Sequence, residues 1–173
     1  MAESLARSFP ALLGAQARVL ILGSMPGQAS LAAGQYYAHP RNAFWPIMGA
    51  LVGAGPELPY PQRIQRLQAA GIALWDVLAE CERPGSLDAD IVAASVRAND
   101  FAALLPKLPA LRAIAFNGSA AEQAFLRHVL PALPSLQVDL LRLPSTSPAH
   151  AARSLAQKQS AWQAILPFLH TAP

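Results

Sequence analysis

The sequence predicts a three-layer α/β/α fold built on a central, mostly parallel sheet of four strands. Short apolar runs alternate with longer amphipathic segments through the chain, the pattern of strand and helix units packed in layers. The first run, Val19-Leu20-Ile21-Leu22, contains no polar residue, as expected of a strand buried on both faces. The runs give way at Gly23, Asp76, Asn117 and Pro144, so small and polar residues gather at the carboxyl ends of successive strands. Ligands bind beyond those ends in such sheets, and these positions are expected to converge at one edge.

Each element has a local reason. Residues 4–14 read as a short helix stopped by Gly14. Residues 19–22 are the first strand. Residues 24–42 form a loop whose length suggests function. Residues 43–52 are helical, with Pro46 tolerated because it falls in the first turn. Residues 53–61 turn the chain, and 62–70 make a helix ended by Gly71. Residues 72–78 are the second strand, 80–89 a polar loop punctuated by Gly85 and Ser86, and 100–105 a helix ended by Pro106. Residues 111–116 are the third strand, halted by Asn117-Gly118. Residues 119–130 are a helix in which Ser119 and Glu122 have capping-box spacing. Residues 136–143 are the fourth strand, 145–150 a polar loop, and 151–169 the last helix, with Trp162, Ile165 and Leu169 on one face.

The 173 residues suit one domain spanning 1–173 with a sizeable core. A chain that is 53% hydrophobic and 13% charged is not disordered. The net charge of +3 is compatible with a polyanionic partner, and Arg7, Arg18, Arg41, Arg63 and Arg66 crowd the N-terminal half. The single cysteine, Cys81, excludes an internal disulfide and a thiolate cluster and fits a reducing cytoplasm. No secretory signal or membrane-spanning stretch is expected. No His, Cys and acid spacing supports a metal site, and no cofactor is expected.

The chemistry-bearing residues lie in the predicted loops. Gly23-Ser24-Met25-Pro26-Gly27 lacks the lysine of a P-loop and the spacing of a dinucleotide fingerprint. Its turn can still offer backbone N–H groups to an anion or a base carbonyl. Tyr36 and Tyr37 suit stacking on a flat ligand, or ordinary packing. Asn42 can orient a water, read a base edge or cap the following helix, and the roles are compatible. His39 is either an acid–base group or a structural histidine. Asn117 faces a pocket or only makes its turn. Ser145-Thr146-Ser147-Pro148 suits phosphate contacts, with His150 beside it. Asp76 is the one carboxylate at a predicted strand end; a buried, partnered aspartate is the plainer reading. No Gly-x-Ser-x-Gly elbow appears. These residues describe an aromatic, amide-rich pocket next to a phosphate-friendly loop.

Two segments carry a family resemblance. Val19-Leu20-Ile21-Leu22-Gly23-Ser24-Met25-Pro26-Gly27 followed by Tyr36-Tyr37-Ala38-His39-Pro40-Arg41-Asn42-Ala43-Phe44-Trp45 resembles the uracil-DNA glycosylase superfamily. The match is closest to its hypoxanthine (deoxyinosine) branch, often called family 6, and the mismatch-specific glycosylases are similar too. Leu143-Pro144-Ser145-Thr146-Ser147-Pro148-Ala149-His150 resembles the second superfamily motif.

The resemblance implies a monofunctional enzyme that flips a deaminated base out of duplex DNA and hydrolyses its N-glycosidic bond. Hypoxanthine is the first expected base, with uracil or xanthine beside it. Tyr37 falls where an aromatic stacks on the flipped base. Gly23, Ser24, Met25 and Asn117 fall around the base. Ser145, Thr146, Ser147, His150 and Arg41 fall where DNA is held. Many relatives carry Asp or Asn where this chain has Met25, and uracil glycosylases carry His where it has Leu143. Asn42 is the implied replacement, an amide that holds a water in line with C1′. No lyase step is expected, because Lys107 and Lys158 lie outside the motifs, on predicted helix surfaces or ends. The expected partner is double-stranded DNA bearing a deaminated base, met by a monomer with no membrane and no metal. The alternatives are a uracil- or mismatch-directed glycosylase and a non-catalytic nucleic-acid or nucleotide-binding module. The losses at Met25 and Leu143 motivate the latter.

Overall fold

The computed structural model describes residues 4–14 and 16–170. The central sheet is β3 (Ile72–Asp76), β2 (Val19–Gly23), β6 (Ala113–Asn117) and β7 (Asp139–Leu143), in that order and parallel throughout. Every residue of β2 is buried, as its unbroken apolar run requires. Period-two alternation divides its side chains between two cores. Val19 and Ile21 pack with Phe44, Ile47 and Met48 of α2 (Phe44–Val52), Leu67 of α3 (Tyr60–Ala69) and Trp162 of α6 (Leu155–Trp162). Leu20 and Leu22 pack with Phe101 and Leu104 of α4 (Phe101–Leu104) and with Ala121 and Phe125 of α5 (Ser119–His128). This is the expected three-layer α/β/α architecture.

The N-terminal segment differs from expectation. Among the described residues it holds no α-helix: β1 (Leu5–Arg7) pairs antiparallel with β4 (Leu78–Glu82), which in turn pairs with β5 (Arg97–Ala98). Pro10 stands in the interior of the expected helix, where it would remove a hydrogen bond and clash with the preceding turn. Leu12 instead exchanges hydrogen bonds with Leu74 at the edge of β3.

The second apolar run also splits. β3 ends at Asp76, and the chain swings at Val77 into β4, so part of the expected 80–89 loop is strand. The swing is fixed by Val77 N–H to Gly23 O at 2.8 Å and Leu78 N–H to Ser24 O at 3.1 Å. The 24–42 loop encloses a short helix, α1 (Gln28–Ala33), closed by Gly34 in the left-handed region. It has neither a side-chain cap nor an acidic first turn, so the sequence carries little sign of it.

The Ser119–Glu122 capping box does not form. Gly118 is the N-cap of α5, and Glu122 pairs with Arg142 at 3.0 Å. The box forms instead at α6, between Ser154 and Gln157, so the last helix begins at Leu155 rather than 151. A 3₁₀ turn and the short α7 (Leu166–Leu169), with Pro167 inside it, interrupt the helical run. Trp162, Ile165 and Leu169 are nevertheless buried together.

Candidate active site

The carboxyl ends of β2, β3 and β6 and the loop after β7 meet around a cleft of about 460 Å³. Gly23, Ser24, Met25, Tyr37, Arg41, Asn42, Asn117, Ser145, Thr146 and Ser147 all line it. His150 does not: it lines an adjoining groove of about 690 Å³ with Arg142 and Arg153. Of the arginines crowding the N-terminal half, Arg41 alone lines either space among the described residues. Arg7 is paired with Glu80, Arg18 donates to Leu169 O, and Arg63 lies over the Trp45 ring.

The two tyrosines divide their work. Tyr36 is built into the core: its Oη donates to Pro10 O, and its carbonyl accepts from Trp45 Nε1. Tyr37 sits at φ 55°, a rare backbone for a bulky residue, and its ring stacks on Phe44 at 4.0 Å between centroids. That conformation carries the ring into the cleft wall. Its hydroxyl is buried without a hydrogen-bond partner. Burial chiefly, and then the nearby Asp76, hold its pKa well above the usual range.

Asn42 ends the loop that leads into α2. Its Oδ1 accepts from Phe44 N–H at 2.9 Å, a side-chain turn that supports the helix start, although Ala43 is the N-cap. Among the described residues no bond engages its Nδ2, which is a donor at the cleft wall. His39 also lines the cleft, and its Nδ1 accepts from Arg41 N–H.

The loop after β7 is held from two sides. Asn117 Nδ2 donates to Thr146 Oγ1 and Asn117 Oδ1 accepts from Thr146 N–H, both at 2.9 Å. Thr146 O in turn accepts from Ala43 N–H, which ties the Asn42 segment to this loop. From α6, Trp162 Nε1 donates to Pro144 O. Lys158, expected on a helix surface, is buried and donates to Ser147 O at 3.4 Å. Its alkyl stem packs inward while its ammonium reaches a loop carbonyl, and burial lowers its pKa. Gly118, at φ 94°, passes so close that a Cβ there would lie 3.0 Å from Ser145 Cβ.

Two features lie outside the residues that the sequence motifs assign to the site. One is a strap, residues 83–88, along the cleft mouth. Buried Arg83 donates to Pro26 O and Gly85 O, Ser86 Oγ accepts from Gln28 N–H, and Ser24 Oγ donates to Asp88 Oδ1. Only the Gly85-Ser86 pair hinted at a turn. The other is Asp76. It is 3% exposed, lines the cleft, and its Oδ2 has no partner. Burial pushes its carboxyl up to about 7, against the pull of Arg83. Met25 lines the same cleft but packs into the core, offering a thioether and no acid–base group.

The cleft therefore combines an aromatic wall, an amide donor, a buried carboxyl and a glycine-bounded turn, next to a loop of hydroxyls and backbone N–H groups. It suits a flat, hydrogen-bonding ring attached to a phosphate chain. Among the described residues no cluster of His, Cys, Asp and Glu is placed to hold a metal, and no helix is long and apolar enough to cross a membrane.

Comparison with known proteins agrees with this fold. The family model of the uracil DNA glycosylase superfamily matches residues 10–168. A hypoxanthine DNA glycosylase of Methanosarcina acetivorans is 35% identical over 160 residues, covering 92% of this chain and 96% of that protein. One of Methanosarcina barkeri is 32% identical over 157 residues, covering 90% and 94%. A solution NMR structure from Methanosarcina acetivorans, described as a candidate uracil DNA glycosylase, superposes with a TM-score of 0.78 at 33% identity, covering 95% of this chain and 98% of that one.

Proposed function

The chain belongs to the uracil DNA glycosylase superfamily, and from that premise we propose that it excises hypoxanthine from double-stranded DNA, acting as a monomer in the cytoplasm. It is a DNA glycosylase, a hydrolase of N-glycosidic bonds. Uracil and xanthine belong to the same proposed range. The whole chain, 1–173, acts as one catalytic domain. The free, buried Cys81 supports the reducing compartment.

One observation carries the reading: the separate sequence motifs, 23–27, 37–42 and 145–147, line a single cleft at the carboxyl ends of the parallel strands. The cleft is large enough for a base rotated out of the helix, and the loops around it reach the flanking phosphates. Extrusion costs a few kcal/mol of unstacking, and stacking on Tyr37 returns roughly 1–3 kcal/mol of it. Ser145, Thr146, Ser147 and Arg41 hold the backbone beside the cleft, with His150 at the adjoining groove. The Gly23–Gly27 turn lies beneath the base, Asn117 shapes the opposite wall, and Asn42 Nδ2 orients the attacking water toward C1′.

An amide is no base, so the enzyme works by positioning and by stabilising the departing base rather than by deprotonating water early. Hypoxanthine suits this because its 6-oxo group spreads the charge that develops on departure.

The test is direct. Duplexes carrying inosine, uracil, xanthine or ethenoadenine are incubated with the protein, and abasic sites are then cleaved with alkali. Strand breaks at inosine are expected. No breaks at any lesion would refute the reading, and breaks at uracil without breaks at inosine would move it to a uracil-directed enzyme.

A further inference from the structure

A cation is buried behind the cleft with no acid to pair with it. Lys158 is 5% exposed, and among the described residues its ammonium enters no ion pair. Burial is what moves its pKa, and moves it down, as the desolvation of a cation must. Taking an ammonium out of water is expensive, and one neutral carbonyl, Ser147 O at 3.4 Å, offsets little of that cost. An apolar side chain of the same length would fill the position without it. A residue that breaks a stability rule in this way, next to a ligand cleft, points to a use in binding.

The fold aims the charge at one place. Lys158 and Trp162 stand four residues apart on α6, so their side chains share a face. Trp162 Nε1 donates to Pro144 O and Lys158 Nζ to Ser147 O, so the loop after β7 turns carbonyls at both ends toward α6. Ser147 O also accepts from His150 N–H, which closes the loop on the same atom. The serine side chains are arranged the other way. Ser145 Oγ accepts from Ser147 N–H, and Ser147 Oγ accepts from Ala149 N–H. Neither hydroxyl donates among the described residues, so both hydrogens are available to a ligand. Both serines line the cleft and the adjoining groove, whereas Lys158 lines neither. The loop thus has a buried cation at its back and hydroxyl donors at its front.

We propose that Lys158 is a positioning residue for DNA binding: acting through the loop, its ammonium holds Ser147 O and supplies the fixed positive charge that a backbone phosphate at Ser145 and Ser147 answers. The inference rests on the reading of this loop as the one that holds the DNA backbone. Exposed cations such as Arg41 and Arg153 are screened by salt and by water. The ammonium of Lys158 is shielded by the loop itself, so its field reaches the front of the loop through a medium of lower dielectric. A phosphate bound there restores to the ammonium part of the favourable surroundings that burial removed. The charge therefore lowers the stability of the free protein and raises its affinity for the duplex.

The experiment compares wild type with Lys158→Met, which keeps the stem and removes the charge, and Lys158→Gln, which keeps an N–H donor without the charge. Affinity for an inosine duplex is read by fluorescence anisotropy across a range of salt concentrations, with the melting temperature of the free protein alongside. Both variants are expected to bind about tenfold more weakly at low salt, and the slope of log affinity against log salt is expected to fall by about one, the amount for one neutralised phosphate. In single-turnover excision the loss is expected in the protein concentration that gives half the maximal rate rather than in the maximal rate. Lys158→Met is expected to melt at or above wild type, because an unpaired buried charge has been replaced by an apolar stem. A lysine that only braces the fold behaves in the opposite way, with a lower melting temperature and an unchanged salt slope. An unchanged salt slope in a folded Lys158→Met, or wild-type affinity and slope in Lys158→Gln, overturns the proposal. Wild-type failure to bind the duplex at any salt concentration would instead remove the reading of the loop on which it rests.

Discussion

Asn117 and Thr146 are joined by two hydrogen bonds of 2.9 Å, one in each direction, between the end of β6 and the loop after β7. The pair makes Asn117 a latch. Asn117→Ala leaves Thr146 N–H without its partner and frees the loop proposed to hold the DNA backbone. An unpartnered buried donor costs about 1–3 kcal/mol. The expected outcome is a lower melting temperature together with weaker binding to an abasic or inosine duplex. Thr146→Val loses only the hydroxyl half of the latch and should lie between wild type and Asn117→Ala. Because both act on one contact, the double variant should be no worse than Asn117→Ala alone. Fluorescence anisotropy and thermal melts check both; additive losses would mean that Asn117 also does something other than hold the loop.

Gly23 leads to a second prediction. Gly23→Ala places a methyl group 2.7 Å from Asp76 Oδ1, a distance that real Cβ atoms do not adopt. Either the carboxyl is pushed aside or the strands separate. Excision of hypoxanthine should fall at least about 100-fold, and overpacking of this kind costs about 1–3 kcal/mol in stability. Abasic-site release and a denaturant titration measure the two effects. An active, fully stable Gly23→Ala would contradict the packing at this point.

The sheet was legible in the sequence, and the reason is physical. Val19–Gly23 is buried on both faces, so its apolar run can mean little else. The polar residues that end the strands gather where parallel strands must end together. The N-terminal strand was not legible. Leu5–Arg7 has weak local preference and is strand only because Leu78–Glu82 lies beside it. A pairing across more than seventy residues leaves no local trace. The sequence left Asp76 open between a site carboxylate and a partnered structural one for a related reason: whether a buried carboxylate has a partner depends on tertiary neighbours, and Arg83 binds Pro26 O and Gly85 O instead. Lys158 was misread because a long stem can be buried while its charged end finds a carbonyl.

Asp76 also predicts a pH dependence of stability. Its carboxyl titrates near 3.8 when unhindered and is pushed up to about 7 in the folded protein. A folded-state value above the unfolded one means the native state holds its proton longer. The protein is then relatively most stable below pH 3.8 as far as this group goes, and that stability is lost as pH rises toward 7. The full difference corresponds to at most roughly 4 kcal/mol, by the rule of 1.36 kcal/mol per pKa step. Asp76→Asn cannot ionise and should not show this loss. Its melting temperature should exceed that of wild type at mildly alkaline pH and approach it at acid pH. A constant difference between the two across the range would show that burial does not hold the proton on Asp76.

Asn42 has two separable duties, and one substitution divides them. Its Oδ1 accepts from Phe44 N–H at the start of α2, while its Nδ2 is the donor proposed to orient water. Asn42→Ala removes both; losing a side-chain bond at a helix start costs about 0.5–2 kcal/mol. Asn42→Ser keeps an oxygen able to accept from Phe44 N–H, since serine supports helix starts about as well as asparagine. Serine is too short to carry a donor to where the amide nitrogen lies. Asn42→Ser should therefore melt close to wild type and bind duplex DNA normally, yet excise hypoxanthine at least about 100-fold more slowly, the scale for losing a catalytic hydrogen bond. Asn42→Ala should share the catalytic loss and add the loss of stability. Should Asn42→Ser excise at the wild-type rate, the amide nitrogen has no part in the chemistry, and Asn42 serves only to start the helix that carries Phe44 beneath Tyr37.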